Sequence, residues 1–138
     1  LGVRIERHCA NALKVAQWLS ADPRISWVSF PGLEEDKYHA LAEKYMPNGT
    51  CGVISFGVPG GREKVSAFLD HLKMVSIATH VADARSCTLY PAGTTHRQLT
   101  EEQLVEAGVG IDLVRLSCGI ENADDIITDL DQALAAVQ

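Results

Sequence analysis

The sequence lacks any apolar stretch long enough to cross a membrane, because its apolar runs end well before the about 18 residues that a spanning helix needs. Its first residues also lack the basic-then-apolar order of a secretion signal. With 138 residues, 46% hydrophobic and 22% charged, the chain has the size and apolar content of one globular domain. We therefore expect a soluble, cytoplasmic domain. Since it begins with Leu1 and enters helical periodicity at once, we also expect a fragment of a longer protein.

The sequence has no cluster of basic residues either. Its formal net charge is −6, and the charges are spread along the chain. The phosphate-neutralising surface that nucleic-acid binding requires is therefore missing. We expect neither a nucleic acid nor a membrane as a partner.

Metal-ligand spacing is also missing. The four cysteines lie far apart, and none forms a CxxC motif or a Cys/His pair with the spacing of a zinc site. We predict no metal site, and thiols that are buried in a reducing compartment. Cys9 follows His8, which could lower a thiol pKa, but adjacent helical residues diverge by about 100°. We therefore do not expect Cys9 to be a nucleophile.

Helical spacing marks several segments of the chain. Residues 3–19, 36–46, 62–73 and 123–137 place apolar side chains at intervals of three and four. A short helix is predicted at 101–107, with Thr100 as its N-cap and Gly108 at its end, and Asn122 is predicted to cap the last helix. The predicted inward stripes of the first two helices are Ile5, Cys9, Ala12, Leu13, Ala16 and Leu19, and Tyr38, Leu41, Ala42 and Tyr45.

Five shorter segments read as strands. They are residues 25–30, 52–58, 75–79, 87–90 and 112–118, which are rich in β-branched and apolar residues. The polar stretch 91–99 is predicted to be a loop. The order α-β-α-β-α-β-β-α-β-α predicts an α/β fold of the α+β type, a two-layer sandwich of a small sheet with flanking helices. We expect the adjacent short strands 75–79 and 87–90 to pair antiparallel, at least in part.

Two blocks in the second half of the chain carry a family resemblance. They are residues 91–96 (PAGTTH) and residues 113–121 (LVRLSCGIE), the latter followed by Asp124 and Asp125. Together they resemble the C-terminal signature of the Cys/Met-metabolism family of pyridoxal-phosphate enzymes. Most of the rest of the chain resembles further family segments, and residues 44–49 and 94–99 are most similar to the O-acetylhomoserine sulfhydrylase branch.

The resemblance implies a fold-type I enzyme, in which a large domain holds pyridoxal phosphate on a lysine. A small C-terminal domain, mainly an antiparallel sheet flanked by helices, closes over the substrate. Residues 1–138 would be this small domain, inactive without the cofactor-binding domain. The implied reaction is γ-replacement, in which O-acetylhomoserine and sulfide, or a thiol, are the substrates, and the family implies a homo-oligomer, typically a tetramer. The lysines do not match the family's cofactor-lysine motif: Lys14, Lys37, Lys44, Lys64 and Lys73.

Arg115 is the strongest candidate for a functional site. Between Val114 and Leu116 its charge would lie at the edge of an apolar layer, where it needs a partner to offset desolvation. A carboxylate is the natural bidentate partner of a guanidinium. The residues alone leave open an internal ion pair with one of the chain's acids, or a side chain that faces solvent. The resemblance implies instead that Arg115 binds the α-carboxylate of the amino-acid substrate.

The resemblance adds Thr95 and His80 as substrate-binding candidates. Thr95 falls on a family threonine near that arginine, where its hydroxyl could accept from the guanidinium, although a simple Ser/Thr turn is the alternative. His80 stands where relatives have serine or asparagine beside the carboxylate, and Ala82 where they have glycine. This departure indicates a titratable group in the pocket or, alternatively, an exposed histidine. His96 is interpreted as a loop anchor and is not assigned chemistry.

Other functions stay open at this stage. A cystathionine γ-synthase or γ-lyase of the same family would share this domain. A non-catalytic amino-acid-binding module and a pure oligomerisation domain are further alternatives, because a fold does not fix a function.

Overall fold

The chain forms five α-helices and five β-strands, in the predicted order, in a computed structural model that describes residues 1–138. The helices are α1 (Gly2–Ala21), α2 (His39–Tyr45), α3 (Gly61–Asp70), α4 (Glu101–Glu106) and α5 (Ala123–Ala135). The strands are β1 (Trp27–Ser29), β2 (Val53–Gly57), β3 (Ser76–Ile77), β4 (Cys87–Leu89) and β5 (Leu113–Ser117). None of the helices combines the length and the apolar character that a membrane crossing requires.

The strands form one sheet in the order β1-β2-β5-β4-β3, with β5 at its centre. All pairs are antiparallel except β3 with β4, so the sheet is mainly antiparallel, as expected. The predicted antiparallel pairing of residues 75–79 with 87–90 is wrong, because Ser76 and Ile77 pair in parallel with Cys87 and Thr88. The reason is that residues 78–86 do not form a hairpin turn but run back over the sheet, as the contacts below show.

One face of the sheet is covered by helices and carries the core. Ile54 and Phe56 of β2 lie opposite Leu116 and Val114 of β5, and all four side chains are 0% exposed. They belong to a core cluster of 23 buried residues that also takes in the inner sides of α1, α3 and α5. The predicted two-layer sandwich is therefore confirmed.

The predicted helix caps are also present. The Thr100 side chain accepts from the backbone N–H of Gln103, and the Gln103 side chain accepts from that of Thr100, which is a capping box. Gly108 follows α4 with φ +71°, the left-handed conformation that glycine adopts readily. Asn122 caps α5 by accepting from the backbone N–H of Asp124.

The predicted stripe of α1 is partly wrong. Ile5 and Leu13 are 39% and 37% exposed, and the buried side of α1 is His8, Asn11, Ala12, Val15, Ala16 and Leu19. Two polar residues thus replace apolar ones on the inner side. They are accommodated because carbonyl oxygens more than a hundred residues further along the chain provide hydrogen-bond partners, Cys118 for His8 and Gly119 for Asn11.

The predicted inner side of α2 is wrong as well. Tyr38, Leu41 and Tyr45 are 51%, 51% and 69% exposed, and only Ala42 is buried. The helix has 7 residues and buries only Ala42, one of its two alanines, so the larger apolar side chains remain at the surface.

Candidate functional site

Arg115 lies in the middle of β5, on the face of the sheet that the helices leave open. Its neighbours Val114 and Leu116 point into the core, and because side chains alternate along a strand, Arg115 points the opposite way. Ser55 of β2 and Leu89 of β4 are its cross-strand partners. Arg115 is partly buried on a strand that is paired on both sides, and the hydrogen bond of its guanidinium is exposed.

The guanidinium of Arg115 makes one hydrogen bond within the chain, from Nη2 to the carbonyl oxygen of Thr79 at 2.9 Å. The ion pairs of the chain involve other residues, so the internal ion pair that the sequence left open is not formed. A guanidinium has five N–H donors in a planar fork. Most of these donors remain available for a bidentate carboxylate.

Residues 78–86 form the loop that connects β3 to β4, and this loop crosses the open face of the sheet. Near its start, the Thr79 carbonyl reaches Arg115 on β5, and further along, the Ala82 N–H donates to Ser117 Oγ at 3.0 Å. Since β4 lies between β3 and β5, the loop has to pass over β4 to make both contacts. This path brings the chain back to the start of β4 and explains the parallel pairing of β3 with β4.

Ala82 adopts an uncommon backbone conformation within this loop. Its φ is +55°, and it is the only residue other than glycine with a positive φ. This conformation costs a non-glycine residue about 1–2 kcal/mol, so other contacts have to hold it. Two do so: the N–H bond to Ser117, and a bond from Arg4 Nη2 to the Ala82 carbonyl oxygen at 3.1 Å.

The block that follows β5 anchors the other end of the loop. The Glu121 carboxylate accepts from the backbone N–H of Ser86 at 2.6 Å and from its hydroxyl at 2.9 Å. A side chain at Gly119 would collide with the backbone of Ala84 and Arg85, so this position requires glycine. Gly119 and Glu121 belong to the motif of residues 113–121, but the sequence alone predicts no role for them. The motif's glycine and glutamate were the signal, whereas nothing in the sequence pointed to Ser86.

His80 lies next to Thr79 in this loop and exposes its imidazole. Its Nδ1 is 3.6 Å from Asp83 Oδ2, and its side chain is 65% exposed. The backbone N–H of Arg85 lowers the pKa of Asp83, and the charges of Arg85, His80 and Arg4 act in the same direction. His80 thus stands beside the Arg115 contact without bonding to the guanidinium.

Thr95 does not make the predicted contact with Arg115. Its hydroxyl lies 2.9 Å from His96 Nδ1, and Thr95 is exposed. The preceding residues form a tight 3₁₀ turn, Pro91–Gly93, and the His96 N–H donates to the Pro91 carbonyl. The turn directs the Thr95 hydroxyl to His96, which agrees with the alternative of a local turn and with His96 as a loop anchor.

The cysteines show no sign of a nucleophile. All four are free; Cys87 and Cys118 are buried, while Cys9 and Cys51 are only partly so. Burial, and to a lesser degree the neighbouring Cys51, raises the pKa of Cys9, and burial raises that of Cys118 to about 12. His8 is turned away, since its Nδ1 bonds to the Cys118 carbonyl at 2.6 Å. A raised pKa disfavours the reactive thiolate.

The residues of this chain do not fit a pyridoxal-phosphate site. No contact within the chain brings any of its five lysines to Arg115. Lys14 pairs with Asp124, and Lys37 and Lys44 lie over tyrosine rings. Arg115 does not line any of the four main clefts of the chain. The chain therefore presents the Arg115 guanidinium outside these clefts, and a cofactor has to be held by other residues.

Comparison with known proteins agrees with this geometry. The sequence profile of the Cys/Met metabolism PLP-dependent enzymes matches residues 1–135. An O-acetyl-L-homoserine sulfhydrylase from Leptospira meyeri is 47% identical over 135 residues, which are 97% of this chain and 30% of that protein. A homocysteine synthase from Schizosaccharomyces pombe is 46% identical over 97% of this chain and 31% of its own length.

A solved structure shows the same fold. It is an O-acetylhomoserine (thiol)-lyase from Campylobacter jejuni, with a TM-score of 0.90 and 41% identity over 97% of this chain and 32% of that protein. It carries a pyridoxyl-lysine phosphate adduct at a residue outside the region that this chain matches. The chain spans about a third of the length of these relatives. By its sequence profile and its fold, the chain belongs to the Cys/Met metabolism family of PLP-dependent enzymes.

Proposed function

We propose that this chain is the C-terminal, substrate-closing domain of a pyridoxal-phosphate-dependent O-acetylhomoserine sulfhydrylase, and that the cofactor-binding domain lies outside residues 1–138. In the complete enzyme, Arg115 binds the α-carboxylate of O-acetylhomoserine. The reaction exchanges the acetate at Cγ for sulfide, so the C–O bond of the ester breaks and a C–S bond forms. The names of the relatives support this choice of substrates.

One observation carries the proposal. Arg115 is partly buried, and its guanidinium has one carbonyl partner and no carboxylate partner within the chain, although the chain contains 18 acidic residues. A charge held in this way at an apolar layer is stabilised when a carboxylate binds to it. The open face of the sheet offers that position to a substrate held by the remainder of the enzyme. His80 and Thr95 lie in the two loops that follow β3 and β4, and we propose that they contact the substrate once that face is covered.

Replacement of Arg115 in the full-length enzyme tests the proposal. We expect Arg115→Ala to lower kcat/KM for O-acetylhomoserine. The decrease should correspond to a loss of about 2–5 kcal/mol of transition-state stabilisation, which is typical of removing one partner of a buried charge pair. Steady-state kinetics with sulfide as acceptor measure it. Arg97→Ala is the matched control, because Arg97 is exposed and makes no side-chain hydrogen bond, and it should leave the kinetics unchanged. Unchanged kinetics in Arg115→Ala would remove Arg115 from the site.

The choice of acceptor separates this function from its alternatives. The full-length enzyme should form homocysteine from O-acetylhomoserine and sulfide. Efficient formation of cystathionine from added cysteine would instead indicate a γ-synthase. The isolated chain should show neither turnover nor cofactor absorbance, and tight binding of methionine to it in calorimetry would favour a sensing module. We also propose that the enzyme is a homo-oligomer, which sizing chromatography tests.

A further inference from the structure

The orientation of the Arg115 guanidinium depends on the loop of residues 78–86, which contains no helix or strand. Thr79, whose carbonyl is the guanidinium's partner within the chain, is exposed, and so are the three residues that follow it. An exposed segment without strand or helix pairing has little to fix its position. Backbone bonds hold the loop at Ala78, through Thr88, and at Ala84, through Ile120. The residues between these two points need a contact of their own to fix the Thr79 carbonyl.

Ser117 supplies that contact from a rigid position. It is 2% exposed and lies on β5, which is paired on both sides, and its Oγ accepts from the Ala82 N–H at 3.0 Å. Ser117 and Arg115 are two residues apart on one face, so they lie about 7 Å from each other. The loop is thus tied at Thr79 and at Ala82 to the same strand. Ala82 makes a second hydrogen bond, in which its carbonyl oxygen accepts from Arg4. Because the Arg4 side chain is exposed, we expect this bond to be weaker than the one to Ser117.

We propose that Ser117 is a positioning residue for the carboxylate clamp. Its hydroxyl holds Ala82 in the left-handed conformation, and the loop in turn places the Thr79 carbonyl that orients the Arg115 guanidinium. This inference rests on the proposed function, because it assumes that Arg115 binds the α-carboxylate. Without the hydroxyl, the Ala82 N–H loses its acceptor and the strained conformation loses its main support.

The test uses Ser117→Ala in the full-length enzyme. A single hydrogen bond of this kind corresponds to about a 3- to 10-fold change in affinity. We expect the KM for O-acetylhomoserine to rise by about that factor, with kcat changed less than about twofold and the KM for sulfide unchanged, since sulfide has no carboxylate. Ser117→Thr, which keeps the hydroxyl, should restore the KM. Hydrogen exchange followed by mass spectrometry should show faster exchange in peptides that cover residues 79–86.

The matched control is Tyr90→Phe. It also removes one buried hydroxyl and one hydrogen bond, the 2.7 Å bond to the Ile111 carbonyl, but it leaves the loop contacts in place. If Tyr90→Phe raises the KM for O-acetylhomoserine as much as Ser117→Ala does, the effect is general destabilisation and the proposal is wrong. It is equally wrong if Ser117→Ala accelerates exchange in the loop without changing the KM.

A binding experiment separates this proposal from the proposed function. L-Norleucine has an α-carboxylate but no leaving group, so its affinity, measured by calorimetry on the full-length protein, depends on the clamp and not on the reaction. If the wild-type enzyme fails to convert O-acetylhomoserine, the proposed function fails, and norleucine still tests Ser117. A weaker affinity in Ser117→Ala and not in Tyr90→Phe supports the positioning role, whereas equal affinities overturn it.

Discussion

The two faces of the sheet differ in what fixes their side chains. On the covered face, Phe56 and Val114 are 0% exposed and belong to the 23-residue core cluster. On the open face, their strand neighbours Ser55 and Arg115 remain partly exposed, and the guanidinium is oriented by the loop of residues 78–86. Burial of apolar surface is non-directional, whereas a hydrogen bond depends on distance and angle. Changes on the covered face should therefore reduce stability, and changes at the exposed positions of the open face should mainly reduce binding.

The adjacent residues Phe56 and Ser55 of β2 lie on opposite faces of the sheet. Their replacement should give the largest difference in the free energy of unfolding. Phe56→Ala should lower the free energy of unfolding by about 3–5 kcal/mol, because it removes a fully buried ring. The ring packs edge-on against Phe68, with 6.3 Å between the ring centroids. Ser55→Ala, on the other face, should cost about 0.5 kcal/mol or less. Urea unfolding of the chain measures both, and losses of similar size would contradict the comparison.

Asp129 shows that directional bonds also act within the helical layer. It is 5% exposed in α5, and its carboxylate accepts from the backbone N–H groups of Lys73, Met74 and Val75 at 2.9, 2.9 and 2.8 Å. Burial acts to raise the pKa of Asp129, but these bonds and one from Gln132 outweigh it, so the pKa lies below its ordinary value. The carboxylate thereby fixes the chain that leads into β3.

Unfolding of Asp129→Asn at a series of pH values measures how much these directional bonds contribute to stability. Because the folded-state pKa is lowered, the ionised carboxylate stabilises the fold above about pH 4, and this contribution is lost as the pH falls through the lower folded value. We expect Asp129→Asn to cost about 1–3 kcal/mol at pH 7, since the amide nitrogen cannot accept from an N–H. The difference from the wild type should narrow below about pH 4. The exposed Asp125→Asn is the control, and a difference that stays constant with pH would contradict the assignment.

The smallest expected effect lies in the loop on the open face. Ala82→Gly should raise the free energy of unfolding by about 0.5 kcal/mol, because relief of the φ of +55° exceeds the added entropy of the unfolded chain. Ala84→Gly, which relieves no positive φ, should lower it by about 0.4–1 kcal/mol. Thermal unfolding of the pair measures both. Changes of the same sign would show that the left-handed conformation carries no strain.

The sequence predicted the elements well because the signals for them are local. Each helix and strand was expected within a few residues of its position, and the caps at Thr100 and Asn122 depend on contacts three and two residues away. The inner sides of α1 and α2 were predicted less well. The stripe of α1 is set by carbonyl partners for His8 and Asn11 from the far end of the chain, which no periodicity reveals.

The candidate site followed the same pattern. Arg115 was predicted from its apolar neighbours together with the family motif, and its position on the open face is consistent with that prediction. The hydrogen bond expected between Thr95 and Arg115 is not formed within the chain, because a tight turn directs the Thr95 hydroxyl to His96. Ser117 and Ser86 were missed, since a serine hydroxyl has no distinctive sequence signal until its partner is known.

The order of the elements, the apolar face of the sheet and the arginine on the opposite face all follow from the amino-acid sequence alone. Alternation and helical spacing suffice for these, because they depend on neighbours along the chain. The parallel pairing of β3 with β4, and the path of the connecting loop across the sheet to β5, are visible only in the folded chain. Those features depend on hydrogen bonds between residues about 35 positions apart, such as Ala82 with Ser117, which form only once the sheet has assembled.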